Sequence, residues 1–230
     1  RNNLNAQELG DAAERKRRWG SNPVFEKGKV DEMVEAGVNR LVDMQNQDGG
    51  WGWFSGTGSR SSAHLTSQVV RGLLVARSNN VAIPADVIPR GTTWLKNYQQ
   101  QELQKLKNWD SDTDPRKHHV DNMDALVFHV LTLVGERNDE MKKFLYEDRT
   151  HLSVYGKCLF ALATHQLEDA EMTNMLKRNI EQFLEVDEEN ETALLADQTN
   201  WWYWYGSSIE STAMYLKLLT KTDPDSITAP

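Results

Sequence analysis

With 230 residues, the chain is long enough for one large domain or two small ones, with a core that needs no disulfide or metal staple. Its 26 Lys and Arg against 34 Asp and Glu leave a net charge of −8, and the pI near 5.3 argues against a nucleic-acid or anionic-membrane partner held by bulk electrostatics. Gly and Pro are too few for a low-complexity chain; the longest apolar run, Ala125 to Val134, is too short to span a bilayer; and the lone Cys158 can form neither an internal disulfide nor a multi-thiolate metal site.

Residues 1–28 read as a polar connector or exposed helix. They open at Arg1 with no initiator Met and no apolar leader core, so the chain is expected to be a piece of a longer protein. The basic run Arg15 to Arg18 sits beside Asp11 and Glu14 and reads as solvated rather than as a nucleic-acid patch. From residue 29 onward apolar residues recur at spacings of three and four, and strand-like alternation is absent, which predicts helices at 29–46, 62–78, 86–104, 118–135, 138–148, 150–167, 172–183 and 207–221. Breakers at Asp48-Gly49-Gly50, Ile83-Pro84, Asp114-Pro115, Gly135 and Asp223-Pro224 separate them, and the short connections imply antiparallel neighbours.

Several features along this series could carry chemistry. Asp110, Asp112 and Asp114 alternate as in the first half of a calcium loop, but Pro115 and Asp121 stand where that loop needs Gly and a bidentate Glu. The bland reading is a solvated loop leading into a helix whose start lies near His118, His119 or Asp121. Cys158 shares a helical face with Tyr155, Leu159 and Leu162 and reads as a buried, inert thiol. Residues 168–197 hold ten acids and two bases, which reads as a solvated face, or alternatively as a docking surface for a neighbouring domain. The Gly-rich stretch 49–58 misses the phosphate-loop spacings, so no nucleotide or other cofactor is expected.

An internal repeat gives the series its shape. Trp51-Gly52-Trp53-Phe54 precedes a helix beginning at His64-Leu65-Thr66, and Trp202-Tyr203-Trp204-Tyr205 precedes one beginning at Ile209-Glu210-Ser211. Trp51, Trp53, Trp202 and Trp204 are expected to be buried between successive helix hairpins; stacking of sugars or lipids on their rings is the functional alternative. Repeated hairpins must stack into an open solenoid or close into a ring. Helices 62–78, 118–135, 150–167 and 207–221 are lean in charge while those between carry more, a pattern of inner and outer walls that favours a closed all-α ring over residues 29–222, with 223–230 as a tail.

The segment Leu41 to Phe54, with its Gln47-Asp48-Gly49-Gly50-Trp51-Gly52-Trp53-Phe54 core, the helix starting His64-Leu65-Thr66, and the tail Asn200 to Tyr205 followed by Ile209 to Thr212 resemble the complement-like thioester domain of bacterial alpha-2-macroglobulins. The resemblance implies an α/α toroid, also built by terpene cyclases and prenyltransferase β-subunits. It also implies a non-enzymatic role inside a large exported protein, periplasmic or at the cell surface, whose internal Cys-Gln thioester captures a protease after a bait region is cut. The partners implied are the other domains of that parent and its target proteases. The family's Cys-x-x-Gln motif does not occur in these 230 residues and is expected upstream of Arg1, unless the parent belongs to the branch without it. His64 is the one histidine the resemblance offers for acyl transfer, although the family's catalytic His lies earlier, in a longer loop. The competing class is a toroid enzyme or binding module acting on isoprenoids or glycans, which would need convergent carboxylates or a metal in the central cavity.

Overall fold

The computed structural model describes residues 26–54, 59–187, 189–190, 192–196 and 207–224. Eight α-helices make up most of it: α1 (Lys27–Asp43), α2 (Ala63–Ser78), α3 (Val87–Lys107), α4 (Asn122–Leu133), α5 (Asp139–Glu147), α6 (Val154–Gln166), α7 (Ala170–Glu181) and α8 (Ser208–Thr222). Six of the first turns are secured by side chains that accept otherwise orphaned backbone N–H groups. Ser62, Asn138, Ser153 and Asp169 do so for α2, α5, α6 and α7, and Asp121 forms a capping box with Asp124 on α4. Ser207 and Glu210 form a second capping box on α8.

The helices alternate between two rows, as in an α/α toroid. α2, α4, α6 and α8 are successive neighbours, and α1, α3, α5 and α7 pack on their outer side. Burial follows the rows. Leu126, Val127, Phe128, Val130 and Leu131 of α4 and the run Val154 to Thr164 of α6 are buried all round, whereas α5 buries only Met141 and Leu145. A helix apolar on every side has neighbours on every side, and one with a single stripe faces solvent. Phe128 of α4 and Phe160 of α6 meet edge to face at 6.0 Å between ring centroids, a contact worth about 0.5–1.5 kcal/mol beyond the area it buries. The two repeat helices are buried in one register: Thr66, Val70 and Leu73 of α2 match Ser211, Tyr215 and Leu218 of α8, each pair 145 positions apart.

Three expectations need correction. The expected helix over 150–167 is broken: Arg149–His151 is a single 3-10 turn and α6 starts at Val154, because the Ser153 N–H donates to Asn122 Oδ1 while its hydroxyl caps Gly156. The expected helix over 118–135 begins only at Asn122, after Asp121. The acidic stretch is mostly exposed, as expected, but the expectation of helices alone fails there. Leu184–Asp187 (β1) and Thr192–Leu195 (β2) pair antiparallel in the register Leu184 to Leu195 and Asp187 to Thr192. Asp187 organises the turn by accepting from the Glu189 and Asn190 backbone N–H groups, a local bond that competes with helix formation. The hairpin rests on α8, where the Leu195 N–H donates to Thr212 Oγ1 at 3.1 Å.

Candidate functional site

The Gly-Gly-Trp segment is a structural lock at the start of α2. Gly49 has φ +91°, a conformation that L side chains rarely adopt, and a Cβ there would lie 2.7 Å from the Arg90 carbonyl oxygen. Asp48 accepts from Ser61 Oγ at 2.7 Å, from the Gly50 N–H at 3.1 Å and from Trp94 Nε1 at 2.9 Å. Partial burial pushes its carboxyl up, but these hydrogen bonds outweigh that and hold it below its ordinary value. Trp51 is 2% exposed; its indole donates to the Leu41 carbonyl at 2.7 Å and its N–H to Thr66 Oγ1 at 2.9 Å. Gly91 of α3 makes room for that ring, since a Cβ there would lie 2.8 Å from both the indole and Val70. Trp51 thus ties α1, α2 and α3 together.

At the other ends of the inner helices lies a cavity of about 420 Å³, bounded by the C-terminal halves of α2, α4, α6 and α8. His129 and Leu162, both buried, form its floor, half-buried Arg71 and Lys217 its walls, and exposed Arg77 and Lys221 its rim. Among the described residues that line it there are four permanent cations and no carboxylate. The charges act on one another. Burial, reinforced by Lys217, Arg71 and Lys221, pushes the His129 imidazole down to about 3, so the ring is neutral at physiological pH. Burial, with Arg71 and Lys221, likewise pushes the Lys217 ammonium below its ordinary value. Neither ring nitrogen of His129 has a hydrogen-bond partner among the described residues.

The residues singled out from the sequence are scattered. His64 lies in the first turn of α2, half-buried; burial lowers its pKa, helped by Arg71 and opposed by Glu210. Asp110, Asp112 and Asp114 stand exposed in the α3–α4 connection without converging, and Asp114 is paired with Arg116 at 3.1 Å, so the calcium-loop reading fails on geometry. Cys158 is fully buried in α6, with its Sγ 3.9 Å from the Ser211 carbonyl. Trp53 corrects the packing expectation: it is 57% exposed, whereas Trp51 fills the space between helices. Trp202 and Trp204 lie outside the described residues. The cavity cations were not singled out from the sequence, although Arg71 and Lys217 are isolated bases on charge-lean helices. Among the described residues, the groups with metal-ligand spacing are His119, Asp148 and His151, whose ligating atoms lie within 4.8 Å of one another. The two imidazoles stack at 3.8 Å, and Asp148 is held by the Val120 N–H.

These features define an all-α domain of two alternating helix rows, locked at the starts of its inner helices and open into a cationic cavity at their ends. The helix fold is similar to that of bacterial alpha-2-macroglobulins of known structure, so the all-α fold and the resemblance read from the sequence are borne out. The Salmonella protein, solved after reaction with methylamine, overlays on 88% of this chain with a TM-score of 0.65 and 22% identity. The Escherichia coli protein, solved from its MG7 domain to the C-terminus, overlays on 88% with a TM-score of 0.61 and 20% identity. In sequence, 69 residues, 30% of the chain, are 29% identical to the alpha-2-macroglobulin of Thermotoga maritima. No family model matches the chain. The matched region spans 4% of the Thermotoga protein, and the chain spans 12% of the Salmonella structure and 30% of the E. coli one. Among the described residues no helix is long and apolar enough to cross a membrane.

Proposed function

We propose that this chain is the helical thioester-type domain of a bacterial alpha-2-macroglobulin-like protease trap, exported to the periplasm or cell surface. The observation that carries this reading is the likeness of fold over most of the chain, joined to the Gln47 to Phe54 segment that forms the Asp48–Trp51 lock. In that role the domain is a non-enzymatic body. It holds a reactive acyl group out of water and presents it when the surrounding domains move, and its partners are those domains and the proteases that trigger them. A rigid, densely packed pair of helix rows suits that task, since a group is shielded only if its surroundings do not open spontaneously. The cavity favours this reading over an enzyme that hydrolyses glycans. Its lining is cationic, whereas glycoside hydrolysis needs a pair of carboxylates across the scissile bond.

Intact-mass measurement after incubation with methylamine and with an activated serine protease tests the proposal. These 230 residues alone are expected to gain no mass, because no Cys-x-x-Gln pair is present to form the acyl donor. The full-length parent is expected to add methylamine and to hold protease covalently if it encodes the pair, or to hold it sterically if it does not. A parent that neither holds protease nor slows its attack on large substrates overturns the assignment. So does turnover of an isoprenoid diphosphate or a glycan by this chain.

A further inference from the structure

The cavity at the ends of the inner helices is built in a way that shielding alone does not require. Arg77 and Lys221 lie in the last turns of α2 and α8, where a cation complements the helix dipole and needs no other explanation. Arg71 and Lys217 are different. They lie more than a turn from those ends, beyond the reach of the terminal charge, and they are half-buried in the cavity wall. Arg71 also hydrogen-bonds the Tyr155 hydroxyl, but a phenol does not neutralise its charge, and Glu210, an acid whose field reaches Tyr155, does not line the cavity. Below them His129 is 2% exposed and faces the cavity with both ring nitrogens unpartnered among the described residues. A buried polar ring without partners is costly, and native proteins rarely keep one where nothing binds.

We propose that this cavity binds a small organic anion carrying two or more negative charges on an apolar body, of which a phosphomonoester is the simplest case. Arg71 supplies a planar fork suited to two oxygens of a phosphoryl or carboxylate group, and Lys217 a point charge beside it. His129 donates its one N–H from the floor. Leu74, Leu133 and Leu162 give the apolar body its surface, while Arg77 and Lys221 draw the anion in from the rim. The volume of about 420 Å³ lies within the usual range for small-molecule sites and equals the share of roughly fourteen waters, enough for an aryl phosphate. The ligand then relieves the repulsion within the cluster of cations. This inference does not depend on the protease-trap reading, and its test does not involve proteases.

The test is a thermal melt of the chain at constant ionic strength with phenyl phosphate, inorganic phosphate, benzyl alcohol or sodium chloride. Phenyl phosphate at millimolar concentration is expected to raise the Tm by several degrees, inorganic phosphate by less, and the other two not at all. Lys217→Met should melt at or above the parent without ligand, because repulsion is removed, and should need at least tenfold more phenyl phosphate for the same rise. Lys143→Met, an exposed change on the outer α5, should respond as the parent does. In parallel, the His129 ring nitrogens should shift in the NMR spectrum as phenyl phosphate is added to the parent, a readout that holds even if the Lys217 variant folds poorly. An equal rise with sodium chloride, an undiminished rise in Lys217→Met, or an unmoved His129 signal overturns the proposal.

Discussion

The two ends of the inner helices are organised on opposite principles. At their starts most charges have an opposite charge or a hydrogen-bond donor beside them, although Asp124 Oδ1 has no partner among the described residues. Asp48 accepts three hydrogen bonds, Asp121 and Ser207 close capping boxes, and Lys117 bridges Glu102 at 2.9 Å, Asp121 at 2.8 Å and Asp124 at 2.7 Å ahead of α4. At their ends four cations gather around a neutral imidazole that has no hydrogen-bond partner among the described residues. One end is largely satisfied by its own residues, and the other gathers like charges that a bound anion would offset. Stability should therefore depend strongly on the first and little on the charges of the second.

The largest effects are expected where the satisfied end is broken. Trp51→Ala empties a site framed by three helices and should cost about 3–5 kcal/mol in a denaturant melt, as large-to-small core changes do. Lys117→Met should cost a similar amount, about 3–5 kcal/mol, because it leaves the fully buried Asp124 carboxylate beside Asp121 without its cation, while Lys105 remains on Glu102. Burial and then the neighbouring Asp121 already push Asp124 up to about 6. If Lys117→Met melted like the parent, the matched-charge account of this end would be wrong.

Acid titration probes the other end. His129 is held at about 3 in the folded chain and titrates near 6.5 when unfolded, so the folded state binds fewer protons between those values. Its contribution is complete above about 6.5 and is lost as pH falls from there to about 3. Asp124 works in the opposite direction, since a raised carboxyl favours the folded state as pH falls through about 6. The His129 effect is therefore read as the difference between the parent and His129→Phe, which should lose the acid-dependent component. The smallest effect is expected for Trp53→Ala, within about 0.5 kcal/mol of the parent, because an exposed ring leaves no cavity when removed. A loss comparable with that of Trp51→Ala would show that the Trp53 ring carries packing within this chain.

The helix series was legible because its signal is local. An apolar stripe at 3.6-residue spacing says which face is buried, and the absence of a polar face on α4 and α6 says that they have neighbours all round. The inner and outer rows could be read from charge alone, for the same desolvation reason. The β1–β2 hairpin could not, since four-residue strands rich in Glu and Asp carry no periodicity long enough to recognise. Nor could the different fates of Trp51 and Trp53, two residues apart with the same side chain: one is buried because Gly91, forty residues downstream, leaves room for it. The cavity lay still further from the sequence. Arg71 and Lys217 are separated by 146 positions, and each alone is an unremarked base on a helix. Their meaning depends on distance, because charges repel and a ligand can bridge them only when packing of the inner row brings them to one wall, and only the tertiary structure determines that distance.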